Sequence, residues 1–122
     1  MSLIVSPYIR TKELAITFKE EVILAPYNDL FGVEGWRFKV WGSKTIEELG
    51  CTILPTLKKS DIYAEGKDLV TLESELRKIM SELNEVSRKL SVDKEPIEFR
   101  LGNALEAIRA IKKYPNGGVY IG

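Results

Sequence analysis

Residues 69–90 read LVTLESELRKIMSELNEVSRKL, and the spacing of their apolar positions decides the fold class. Leu69, Leu72, Leu76, Ile79, Leu83, Val86 and Leu90 recur at steps of three and four. On a 3.6-residue period that spacing lines one face of an α-helix. Glu73, Glu75, Arg77, Lys78, Glu82, Glu85, Arg88 and Lys89 fall between them as the solvated face. The pattern predicts one helix of roughly 22 residues, on the order of 33 Å long. A polar break over Ser91–Pro96 separates it from a second stripe, Ile97, Leu101, Ala104, Ile108 and Ile111. That stripe ends ahead of Pro115, because a proline disfavours helical geometry in the residue before it. Two stripes and a short connection predict an antiparallel helical hairpin. The same seam could drive a coiled-coil dimer, but pairing within one chain loses no association entropy, which favours the hairpin.

Upstream the period changes to two. Leu3-Ile4-Val5 is a short apolar run stopped by Pro7, and Leu14, Ile16 and Phe18 alternate with Ala15 and Thr17. Val22-Ile23-Leu24-Ala25 follows, ended by the turn residues Pro26-Tyr27-Asn28-Asp29. The clearest alternation is Trp36-Arg37-Phe38-Lys39-Val40-Trp41, closed by Gly42, which predicts a strand with Trp36, Phe38 and Val40 on one face and Trp41 on the other. A short helix follows, with Thr45 and Glu48 spaced as a capping box and Gly50 placed for a left-handed end. Ile53-Leu54-Pro55-Thr56-Leu57 is an apolar connector that should dock on the core. After the second helix, Asn116-Gly117-Gly118 is a turn and Val119-Tyr120-Ile121 a last short strand. The expected fold is therefore α+β: an N-terminal antiparallel sheet backed by a C-terminal helical hairpin, with a short closing C-terminal strand.

A length of 122 residues suits one domain spanning 1–122, able to bury roughly two-thirds of its unfolded surface without disulfides or metal. Eighteen basic and eighteen acidic side chains cancel, and the basic pairs are scattered among carboxylates. Nucleic-acid binders gain affinity from clustered Lys and Arg, so that class is set aside. No window approaches the ~18 uninterrupted apolar residues of a membrane span, and the start lacks the basic and long apolar regions of a signal peptide. One cysteine suits a reducing compartment, and the cytoplasm is the expected location.

The chain contains no histidine, which removes the commonest general base and metal ligand together. The glycines match neither a dinucleotide fingerprint nor a phosphate loop. Cys51 has no histidine to activate it and is expected to be a small buried residue. Asp61 and Glu65, four apart, could form a hydrolytic carboxylate pair. Against that stand caps and loop anchors, or a loop that serves as a binding surface. No catalytic residue, metal site or cofactor is expected. Of the two tryptophans core packing is the commoner fate, although tryptophan also anchors interfaces.

The runs Trp41-Gly42-Ser43, Leu49-Gly50-Cys51, Ile53-Leu54-Pro55-Thr56-Leu57 and Asp61-Ile62-Tyr63 precede a charged helix. The chain then finishes on Arg100-Leu101-Gly102-Asn103-Ala104-Leu105-Glu106-Ala107-Ile108 and Gly117-Gly118-Val119-Tyr120-Ile121. Over residues 36–122 this pattern resembles small bacterial immunity-type proteins of polymorphic and contact-dependent toxin systems. The resemblance implies a cytoplasmic inhibitor that binds one toxin domain and has no reaction of its own. Contact surfaces vary widely among such families, so it transfers no functional residue. Trp41, Asp61, Tyr63 and Glu65 are the candidate partner contacts, as aromatic and polar positions outside the predicted stripes. The inhibitor reading predicts a monomer or homodimer. The alternative is a self-associating structural or regulatory module without a toxin partner, which predicts a concentration-dependent dimer.

Overall fold

A computed structural model describes residues 2–11, 16–18, 24 and 26–122. Among them, five strands pair antiparallel: β1 (Ser2–Arg10), β2 (Ile16–Phe18), β3 (Leu30–Val33), β4 (Ile62–Glu65) and β5 (Gly117–Ile121). Their order is β2-β1-β5-β4, with β3 also paired to β1. The α-helices are α1 (Lys44–Glu48), α2 (Lys67–Ser81), α3 (Leu83–Leu90) and α4 (Lys94–Ile111). The α+β class expected from the two periodicities is the class observed. The sheet, however, is not confined to the N-terminal half. The short closing strand joins the sheet as expected, and it sits in the interior, between β1 and β4.

β1 runs straight through Pro7. The Ile4 and Arg10 amides donate toward Gly122 and Asn116 on the β5 side, whereas the Val5 amide donates to Asp29 on the other side. Strand alternation therefore turns the position of the missing Pro7 N–H away from β5. It falls between the stretch paired to β3, Ser2–Ile4, and the stretch paired to β2, Tyr8–Arg10. A proline is tolerated where the ladder needs no donor. Leu14, Ala15, Val22, Ile23 and Ala25 of the expected strands lie outside the described residues.

The expected strand over 36–41 is instead a π-helical turn, Arg37–Trp41. Helical geometry brings Trp36, Val40 and Trp41 together, so adjacent Val40 and Trp41 are both fully buried. A strand cannot turn two neighbours to one side. Phe38, which alternation set on one face with Trp36 and Val40, is left exposed. The Trp41 ring stacks on Phe31 at 4.3 Å, meets Trp36 edge-on, and donates its indole N–H to the Phe31 carbonyl at 2.9 Å. Trp41 is thus a core residue and is withdrawn as a candidate contact.

α1 is capped by Ser43, whose hydroxyl accepts the Ile46 N–H, not by Thr45. Gly50 has φ +94°, the left-handed end expected of it. The connector coils into a 3₁₀ turn, Leu54–Lys58, and buries Leu54, Pro55 and Leu57 as anticipated.

The long seam does not form one helix. It breaks at Glu82, where φ −111° and ψ 22° leave the helical region, into α2 and α3. The apolar positions keep their roles across the break: Leu72, Leu76, Ile79, Leu83 and Val86 are all buried. The bend lets α2 touch β4 while α3 touches α1, and α4 packs against both. Ser91 reverses the chain with φ 53°, and Pro96 falls in the first turn of α4, where no amide partner is required. Glu75, assigned to the solvated face, is buried. Its carboxylate accepts the amides of Thr52, Ile53 and Leu54, at 3.0–3.2 Å, and the Thr52 hydroxyl at 3.3 Å. It satisfies the unpaired donors at the start of the 3₁₀ turn, a requirement only the tertiary fold creates.

Candidate functional site

The remaining candidates, Asp61, Tyr63 and Glu65, fall on or beside β4, a strand where a loop was expected. Alternation divides this strand cleanly. Ile62 and Ala64 are buried beneath the sheet against the core, while Tyr63 and Glu65 stand on the opposite face. Pairing sets Tyr63 beside Tyr120 of β5, and Glu65 beside Gly118 and then Tyr8 of β1. The result is a band of three tyrosines across the face away from the helices. Tyr63 lies 5.1 Å from Tyr120 and 6.1 Å, edge-on, from Tyr8.

Ion pairs secure each end of the band. At one end Asp61 accepts the Tyr120 hydroxyl at 2.9 Å and pairs with Arg37 at 2.9 Å. Arg37 also reaches Glu34 at 2.6 Å and donates to the carbonyls of Leu57 and Ser60. At the other end Glu65 accepts the Tyr8 hydroxyl at 2.5 Å and pairs with Arg10 at 3.2 Å. Arg10 in turn lies over the Tyr8 ring, 5.7 Å from its centroid. Glycine at 118 makes room for this: a Cβ there would sit 2.5 Å from the Tyr8 ring. Burial, then the hydrogen bond to Asp61, pushes Tyr120 up to about 12. Burial and Glu65 raise Tyr8 further still. Both phenols therefore stay protonated and donating at neutral pH. Tyr63, by contrast, is 49% exposed and sits between the two anchored ends.

The main chain of β4 adds a second feature. Ile4 and Gly122 exchange both amide bonds, so the even-numbered residues of β5 face β1 and the odd-numbered ones face β4. Val119 and Ile121 accordingly pair with Ala64 and Ile62. The N–H and C=O groups of Tyr63 and Glu65 then point to the outer edge of the sheet. A groove of about 200 Å³ runs along this edge, lined by residues that include Thr52, Thr56, Asp61, Tyr63 and Asp68. A cleft of about 280 Å³ opens at the other end beside Arg10, Glu65 and Asn116.

Three of the four candidates are thus brought together, and Trp41 is not among them. Tyr8, Arg10, Arg37 and Tyr120 complete the arrangement without having been singled out from the sequence. Tyr120 was within reach, because it alternates with the apolar Val119 and Ile121. Tyr8 and Arg10 were hidden by ending the first strand at Pro7.

A wider cavity of about 570 Å³ lies elsewhere, lined by residues that include Glu47, Cys51, Pro55, Lys58 and Lys59. Burial, then the Glu75 charge, pushes the Cys51 thiol up to about 11. A thiol held protonated is a poor nucleophile. Cys51 is expected to resist a thiol-reactive disulfide at pH 8 in the native protein and to react fully in denaturant. Rapid native labelling would show the side chain to be open to solvent. Among the described residues no group of three or more His, Cys, Asp or Glu side chains is placed to hold a metal, and no helix is long and apolar enough to cross a membrane. No protein-family model matches the chain, and no curated protein or solved structure is significantly similar to it.

Proposed function

We propose that this chain is a protein-binding inhibitor of immunity type, which neutralises a cognate bacterial toxin in the cytoplasm and performs no reaction of its own. The observation that carries the protein-binding part is the exposed Tyr63 ring, set between two ion-paired tyrosine ends on a strand with an open main-chain edge. Tyrosine is a frequent interface anchor, and neighbours already fixed by ion pairs lose little side-chain freedom on binding. The acids that flank Tyr63 are engaged with arginines, which favours a role in shaping the surface over one in proton transfer. The toxin part rests on the resemblance over residues 36–122.

The test is capture of a partner by the tagged protein, followed by expression of that partner alone and together with the inhibitor. The expected partner arrests growth, wild-type protein relieves the arrest, and Tyr63→Ala weakens relief while melting within about 0.5 kcal/mol of wild type, as exposed substitutions do. Recovery of a partner whose expression leaves growth unaffected, or of the bait alone, overturns the reading.

A second reading, a self-associating module, is favoured by the same open edge, since two β4 strands could pair antiparallel about a two-fold axis. Sedimentation velocity distinguishes it: a concentration-dependent dimer supports self-association, and a monomer throughout removes it.

A further inference from the structure

The chain has six arginines, and five of them meet a carboxylate: Arg10, Arg37, Arg77, Arg88 and Arg109. Arg100, on α4, has no ion pair or hydrogen bond among the described residues. Its Nε is sealed from solvent without a partner, while its two terminal nitrogens are not so sealed. The guanidinium lies 5.7 Å from the ring centroids of both Trp36 and Phe99. Phe99 in turn stacks on the half-exposed ring of Tyr27 at 6.4 Å. These contacts make a continuous ridge, Tyr27–Phe99–Arg100–Trp36, along α4 and the π-helical turn.

Apolar side chains beside the ridge are open. Leu24, Tyr27 and Leu30 are exposed, and all belong to the stretch that α4 holds. That stretch is tied down. Buried Asn103 accepts the Asn28 amide and donates to Asn28 and to the Leu30 carbonyl, while Glu106 accepts the Leu24 amide at 2.9 Å. Glu106, held below the usual carboxylate range by its bond to Arg109, keeps its charge for this purpose at neutral pH. A clamped apolar surface beside a partly desolvated cation, unpaired among the described residues, is what an interface anchor requires.

We infer that this ridge is a docking surface for a partner protein segment that presents an aspartate or glutamate among apolar side chains, its carboxylate bonded end-on to the terminal nitrogens of Arg100. The complementarity is one of charge: among the described residues every other arginine has its acid, and this one lies over two rings without one. The inference rests on the chain binding protein, not on the tyrosine band or on the partner being a toxin.

The test pans a library of displayed 12-residue peptides on the purified full-length protein, with counter-selection on Arg100→Gln. Enriched sequences are expected to carry Asp or Glu next to apolar residues. A synthetic winner should bind Arg100→Gln roughly tenfold or more weakly, the usual scale for one charge-assisted pair. Replacing the peptide acid by its amide should cause the same loss and add nothing further on Arg100→Gln. Tyr27→Ala, at an exposed position of the ridge, should weaken binding while keeping the wild-type far-ultraviolet spectrum and cooperative melting, which separates docking from folding. Enrichment without an acid, equal affinity for Arg100→Gln, or no enrichment at all overturns the inference. A dimer in sedimentation that Tyr27→Ala abolishes also overturns it, because a second copy then covers the face. None of these results bears on growth rescue through Tyr63.

Discussion

Trp41→Ala is expected to destabilise the protein by about 4 kcal/mol, within the usual range for deleting a buried tryptophan. The indole is fully buried, stacked on Phe31, edge-on to Trp36 and hydrogen-bonded to the Phe31 carbonyl. It therefore links the π-helical turn to β3, and alanine would lose the ring contacts and the bond and leave a cavity. Urea unfolding followed by far-ultraviolet circular dichroism measures the effect without relying on tryptophan fluorescence. Trp41→Phe keeps a stacked ring but loses the N–H donor and part of the buried volume, so it should cost about 2–3 kcal/mol. If Trp41→Ala unfolded at the wild-type midpoint, the core position of this ring would be wrong.

Glu75→Ala should be nearly as damaging, at about 3 kcal/mol, because it strips the shared acceptor from three amides, the buried Leu54 amide among them. Those amides belong to Thr52, Ile53 and Leu54, at the entrance to the 3₁₀ turn whose Leu54 and Leu57 are fully buried. Glu75→Gln retains a carbonyl acceptor and should lose about half as much. Hydrogen exchange supplies the local signature: the amides of residues 52–58 should exchange faster in Glu75→Ala than those of β1 and β5. Uniform acceleration across the sheet would mean that Glu75 contributes only to global stability and does not hold this turn.

These two residues show where reading along the chain succeeds and where it does not. The three-four spacing over 69–90 and 97–111 identified the helical segments and their buried faces, because helix amphipathicity is local and periodic. It could not reveal the break at Glu82, which no proline or glycine marks and which lets α2 and α3 reach different neighbours. Nor could it separate Glu75 from the solvated acids around it, since its partners are amides more than twenty positions away.

In the candidate site, Asp61, Tyr63 and Glu65 were legible as polar and aromatic residues with no task in the predicted stripes. Their arrangement was not. Tyr8 and Tyr120 reach Glu65 and Asp61 only because β5 inserts between β1 and β4, joining residues 57 and 59 positions apart. Alternation misled at 36–41, where a period of two was imitated by a single helical turn carrying two adjacent buried residues.

By itself the sequence determined the α+β class, the helical segments and their apolar faces, and the lack of histidine chemistry. All of these follow from composition and from contacts between near neighbours. The tertiary structure alone decided the strand order, the burial of Trp41 and Glu75, the tyrosine band and the placement of Arg100 over Trp36 and Phe99. Each depends on which distant groups supply a hydrogen bond, a ring or a counter-charge, and folding sets those pairings through the whole core at once.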